Sequence, residues 1–172
     1  MHRNKKLIRL QNYNYSQQGY YFITICTENK KYFFGDIVYG KMMLNNCGKI
    51  ADKCWQEIPQ HYPNVDLDVF QVMPNHAHGI IIINNVGVQN SEPLQQANRF
   101  QHIIPRSVGS IIRGFKIGVT KQCRNEKIDF QWQRSFYDHI IRQDESLDKI
   151  REYIVNNPIK WDLDRHNPKN FG

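Results

Sequence analysis

Residues 67–83 read LDVFQVMPNHAHGIIII, two apolar, β-branched runs joined by a single Pro-Asn step. Proline presets the backbone of a turn and asparagine tolerates its second position, so the pair predicts a tight hairpin between strands 67–73 and 76–83. A hairpin commits its sheet to antiparallel pairing. It also leaves an apolar face that other elements must cover.

The rest of the chain supplies both partners and cover. YYFITIC (20–26) is aromatic and β-branched and reads as a core strand, with a second strand expected over DIVYGKMML (36–44). Residues 45–62 place Ile50, Ala51, Cys54, Trp55 and Ile58 at helical spacing. Residues 106–124 repeat the rhythm with Val108, Ile111, Ile112, Phe115 and Val119, and carry Arg113, Lys116, Lys121 and Arg124 on the other face. FQWQRSFYDHIIR (130–142) alternates and predicts a last strand. Residues 144–157 predict a helix with an acidic first turn, stopped by Pro158. Residues 84–105 are polar and long for a connection, which predicts a mobile loop or local insertion. The polar tail 160–172 is expected to be loose.

This order is α+β. It fits a ferredoxin-like, split βαβ antiparallel sheet with helices on one face. No repeat or linker divides the chain, so residues 1–172 are expected to form a single domain.

Charge narrows the function classes. Twenty-three Lys and Arg against sixteen acidic residues give a formal net charge of +7, a balance that favours polyanionic partners. MHRNKKLIRL is basic but runs into QNYNYSQQG with no apolar core, so no secretory signal is expected. The longest purely apolar run, Ile80 to Ile83, is far too short to cross a membrane. Cys26, Cys47, Cys54 and Cys123 form no C-x-x-C pair and read as reduced thiols of a cytoplasmic protein. Cys47 and Cys54, seven apart, fit one buried helix face.

His76 and His78 open the oily strand of the hairpin. Residues two apart on a strand share a face at roughly 6.5 Å, so both imidazoles can converge on one ion through bonds of about 2 Å. The same pair is equally compatible with two hydrogen-bonded residues capping a hairpin. A histidine-triad hydrolase would need a third histidine where Ile80 stands, and the H-E-x-x-H of zinc proteases is absent. Further ligands must come from elsewhere. In EYIVNNP, Tyr153 and Asn157 are four apart and share a helical face. A tyrosine hydroxyl can act as a covalent nucleophile, and an asparagine carbonyl is a hard ligand suited to Mg²⁺ or Mn²⁺. A core tyrosine and a helix-capping asparagine would fit the same letters.

Taken together, YYFITICTENKKYFFG, VMPNHAHGIIII, SFYDHIIR and YIVNNPIKW resemble the HUH single-tyrosine transposases of the IS200-like insertion-sequence family, and among them the REP-associated tyrosine transposases. The resemblance implies a ferredoxin-like fold and cleavage of single-stranded DNA beside imperfect hairpins. It makes His76, His78 and Asn157 the ligands of Mg²⁺ or Mn²⁺ and Tyr153 the nucleophile, which would leave a 5′-phosphotyrosine link and a free 3′-OH. Residues 84–105 belong to none of these motifs. Family members differ in oligomeric state, so monomer and homodimer both stay open.

On this reading Arg106, Arg113, Lys116, Lys121 and Arg124, with the basic N-terminal arm, would grip DNA phosphates, while Tyr13 and Tyr15 would stack on unpaired bases. A solvated helix face and surface aromatics explain the same residues. Tyr137, in SFYDH, is a rival nucleophile. A nucleic-acid-binding ferredoxin-like module without turnover is the alternative function, and a hydrolase of small phosphoesters a third.

Overall fold

The computed structural model describes residues 15–84, 106–142 and 147–171. A four-stranded antiparallel sheet organises it. The strands are β1 (Gly19–Cys26), β4 (Val65–Met73), β5 (His76–Ile83) and β6 (Tyr137–Ile141), in the order β4-β5-β1-β6. That order, with one helical crossover between β1 and β4 and another between β5 and β6, is the split βαβ arrangement expected.

The crossovers are α1 (Asn46–Gln56), continued after Glu57 by the short α2 (Ile58–His61), and α3 (Val108–Asn125). Asn45 caps α1 by accepting from the Gly48 N–H at 3.0 Å, and Ser107 caps α3 by accepting from Ser110. The expected single helix over 45–62 breaks at Glu57 because Pro59 enters at the start of α2. The predicted stripe of α3 is buried as read: Val108, Ile111, Ile112, Phe115 and Val119 all face the core.

Both crossover helices cover one face of the sheet. Tyr21, Ile23 and Ile25 of β1 and Ile81 and Ile83 of β5 join the α1 and α3 side chains in one apolar cluster. Cys47, Cys54 and Cys123 lie in it as free thiols. The fit is tight at Gly79, where Trp55 lies flat on Phe70 (centroids 4.3 Å apart, planes within 7°) directly against the glycine.

The opposite face belongs to α4 (Leu147–Val155), whose Ile154 packs with Phe22, Ile80 and Ile141. Arg151 of α4 grips Asp68 of β4, with its closest N–O contact at 2.6 Å.

Three further sequence expectations change. DIVYGKMML is not one strand but a hairpin, β2 (Gly35–Val38) and β3 (Lys41–Leu44), turning at Tyr39 and Gly40, both with positive φ. Only Tyr137–Ile141 of the last strand pairs with β1. Phe130 and Trp132 instead pack against Phe33 and Phe34, and Thr27–Trp132 is an isolated bridge. The tail is not loose through residue 170. It forms 3-10 turns at Trp161–Leu163 and Pro168–Phe171 and buries Trp161, Asp164 and Asn167. The N-terminal arm, the first turn of the last predicted helix and residues 85–105 lie outside the described residues. No helix among the described residues is long and apolar enough to cross a membrane.

Candidate functional site

His76, His78 and Ile80 alternate onto the α4 face of β5, so the hairpin delivers both imidazoles beneath the last helix. Both histidines are completely buried. Their Nε2 atoms lie 3.0 Å apart. His76 Nδ1 meets the Asn75 side-chain oxygen at 2.8 Å, and His78 Nδ1 meets the Thr24 hydroxyl at 2.9 Å. Each ring is therefore held by its Nδ1 edge, with the Nε2 edges turned toward each other. Phe22 stacks on His78 at 5.4 Å.

α4 adds the phenol. Tyr153 Oη is 3.4 Å from His78 Nε2, and its ring is edge-on to Phe22. Asn157 lies just beyond the helix, buried. Its Nδ2 donates to Asp164 at 3.1 Å, while its Oδ1 has no hydrogen-bond partner among the described residues. The structure thus brings His76, His78, Tyr153 and Asn157 into one cluster.

Sequence reading missed the other wall. Asp164 and His166 come from the tail, and ligand-capable atoms of His76, Asp164 and His166 all lie within 4.8 Å of one another. His166 packs on His76 with centroids 4.5 Å apart, and Trp161 stacks on His76 from 5.9 Å. The signal available was D-R-H-N, an acid and a histidine two apart, in a segment whose polarity suggested solvent.

Burial disfavours the charged form of all three imidazoles. Burial, then the neighbouring histidines and Arg165, hold His76 well below the usual histidine range. Burial, His166 and Arg165 bring His78 down to about 3. His166 falls to about 4, mainly by burial. Burial also raises the Tyr153 phenol, assisted by Asp164 and opposed by Arg165 and by a hydrogen bond with Asn157.

These residues fit a divalent cation. The buried imidazole of His76, the His166 imidazole and the Asp164 carboxylate form a mixed N/O donor set, and the buried Asn157 Oδ1 has no hydrogen-bond partner among the described residues. Two cis ligands with bonds of about 2.1 Å stand roughly 3 Å apart, which is the Nε2–Nε2 spacing found here.

The expected DNA grip lies elsewhere. Arg113, Lys121 and Arg124 of α3 are exposed and line, with Arg134, Ile117 and Phe136, a groove of about 600 Å³. The groove is on the α3 side of the sheet, the histidines on the α4 side. Arg106 is exposed at the entry to α3. Lys116 does not present a free cation. Its ammonium donates to the Gln133, Arg134 and Ser135 carbonyls, the shortest bond at 2.6 Å, and burial lowers it to about 8. Tyr15 does not offer a stacking surface, because it packs in the core against Tyr21. Tyr13 is outside the described residues.

No family model matches this chain. An uncharacterized protein of Haemophilus influenzae is 46% identical over 166 residues, covering 94% of this chain and 92% of its own length. Among solved structures, a REP-associated tyrosine transposase bound to a REP hairpin superposes with a TM-score of 0.62 at 18% identity, over 89% of this chain and 74% of that one. That likeness is one of fold.

Proposed function

This chain belongs to one family with the Haemophilus influenzae protein, and we propose that it is a transposase: a single-stranded DNA endonuclease and strand transferase, dependent on Mg²⁺ or Mn²⁺, that acts beside hairpins. One observation carries the reading. The Tyr153 hydroxyl stands 3.4 Å from His78 Nε2, itself 3.0 Å from His76 Nε2, with Asn157 joined to the same cluster through Asp164. The fold shared with a transposase that holds a hairpin supports the choice of substrate.

His76, His78 and Asn157 would hold the cation, with Asp164 and His166 within reach of the same place. Bound there, a divalent ion supplies Lewis-acid polarisation of the scissile phosphate. Tyr153 Oη would attack phosphorus and lose its proton. The bond to the 3′ oxygen breaks, and the tyrosine keeps the 5′ phosphate while the DNA leaves with a 3′-OH. Attack by a second 3′-OH reverses the step and joins a new end, because the phosphodiester bond is exchanged rather than hydrolysed. Arg106, Arg113, Lys121 and Arg124 would hold the DNA through its phosphates.

Complete burial of both histidines favours a second reading, a nucleic-acid-binding module that does not turn over. One experiment separates the two. The protein is incubated with a hairpin-bearing oligonucleotide and Mn²⁺, then denatured and resolved by electrophoresis. A denaturation-resistant protein–DNA adduct is expected. Binding without an adduct would select the non-catalytic module.

A further inference from the structure

Asn75 sits in the turn between β4 and β5 and is completely buried. Both N–H bonds of its side-chain amide are engaged, by the Lys30 carbonyl at 3.1 Å and the His166 carbonyl at 2.8 Å. Two carbonyls accept only from nitrogen, which fixes the orientation of the amide. The atom facing His76 Nδ1 at 2.8 Å is therefore an oxygen, and it can only accept. His76 must carry its proton on Nδ1 and leave Nε2 bare. Thr24 imposes no such choice on His78, because a hydroxyl both donates and accepts.

We propose that Asn75 is the positioning residue of the cation site: it locks His76 in the Nδ1–H tautomer, leaving Nε2 as a ready ligand, and it latches the tail that carries Asp164 and His166 beside that ligand. This rests on the metal-site reading above. In the metal-free protein the bare Nε2 of His76 has one natural donor, an Nε2–H on His78 at 3.0 Å. His78 then takes its Nδ1 hydrogen bond from Thr24. When His78 ligates, its proton moves to Nδ1 and Thr24 becomes the acceptor. Only one of the two rings changes tautomer. A hydrogen-bond partner that fixes the tautomer of a ligating histidine is worth about 10- to 100-fold in metal affinity.

The test uses the full-length, metal-free, ¹⁵N-labelled protein at neutral pH. Long-range proton–nitrogen NMR reports which ring nitrogen of His76 is protonated, and Mn²⁺ alone is then titrated and followed by electron paramagnetic resonance. The wild type should show His76 protonated on Nδ1. Asn75→Ala should show mixed His76 tautomers and bind Mn²⁺ about 10- to 100-fold more weakly. Asn75→Asp keeps an acceptor for Nδ1–H but loses both donors, so it should retain the tautomer while releasing the tail, read as new amide exchange at residues 164–167. A wild-type His76 protonated on Nε2 overturns the proposal, as does an Asn75→Ala protein with wild-type tautomer and Mn²⁺ affinity. If Asn75→Ala does not fold, the wild-type and Asn75→Asp spectra decide, and loss of the tautomer in Asn75→Asp counts against the role. Absence of the covalent adduct on hairpin DNA, with the His76 tautomer as stated, would instead sink the transposase reading.

Discussion

Gly79→Ala adds one carbon to the strand that carries the histidines, and the structure says what that carbon meets. Built on this backbone, the new Cβ lies 2.5 Å from Trp55 Cζ2, 3.0 Å from Trp55 Cη2 and 2.9 Å from Phe70 Cδ2. The indole cannot yield freely. Trp55 is fully buried, stacked on Phe70 and edge-on to Phe115. Overpacking of this kind costs about 1–3 kcal/mol, which for a chain of this length lowers the melting temperature by roughly 2–12 °C. Differential scanning calorimetry measures it. A second substitution tests the cause: Trp55→Phe deletes the benzo ring that the methyl strikes, so Gly79→Ala should cost less in that background, with a coupling above about 0.5 kcal/mol. Trp55 Nε1 has no hydrogen-bond partner among the described residues, so its removal strands no polar group. A Gly79→Ala protein as stable as the wild type, or strictly additive effects, would refute this account of the packing.

Tyr153→Phe removes one oxygen from an exposed ring and should change the melting temperature by no more than a few degrees, yet abolish both cleavage and the adduct; Tyr137→Phe should retain both. Electrophoresis of the products decides, and the reverse pattern would move the nucleophile to β6. His76→Ala with His78→Ala should eliminate Mn²⁺-dependent cleavage while hairpin binding, measured by filter retention, persists. Replacing Arg113, Lys121 and Arg124 by glutamine should flatten the dependence of log affinity on log salt by about 0.7 per residue on single strands; an unchanged slope would remove this face from the interface. Asp68 sits below the ordinary carboxylate range: burial pushes it up, but hydrogen bonds from Arg151 and the Val69 N–H outweigh that. Its contribution is present above the unfolded value near 4 and fades as pH falls through the lower folded value. Acid titration of stability should thus be shallower in Asp68→Asn.

Periodicity read well where a single apolar stripe decides the element. The α3 stripe is an example, since Ile111, Ile112 and Phe115 have no other means of burial. It failed where aromatic packing imitates alternation. Phe130 and Trp132 alternate with polar residues, as a strand would. Yet they pack edge-on to each other, 4.8 Å apart, with Phe130 buried and Trp132 partly so, in backbone that pairs only at one bridge. Tyr39-Gly40 escaped notice because a tyrosine with positive φ is rare in a hairpin turn. The site was half legible. H-x-H shares a strand face by local geometry alone, whereas α4 ends at Val155, short of the expected Asn157, and the tail is ordered by bonds that no spacing announces. The Asn167 amide donates to the Trp161 carbonyl, and the Asn170 amide to the carbonyls of Asp162 and Asp164. Polar composition there marks internal satisfaction, not solvent.

The sheet stands between the cationic groove and the phenol, and that separation sets a length. β6 is an edge strand, and the chain passes from Arg134 and Phe136 in the groove straight to Tyr137. Tyr137 is 39% exposed and edge-on to Phe22, the ring that packs on both His78 and Tyr153. On the proposed function, a DNA strand gripped by α3 would reach the phenol around that edge. A strand too short to turn the corner can occupy either station but not both. On that reading the sheet would act as a ruler, setting the cut by the number of nucleotides from the place where the strand is held.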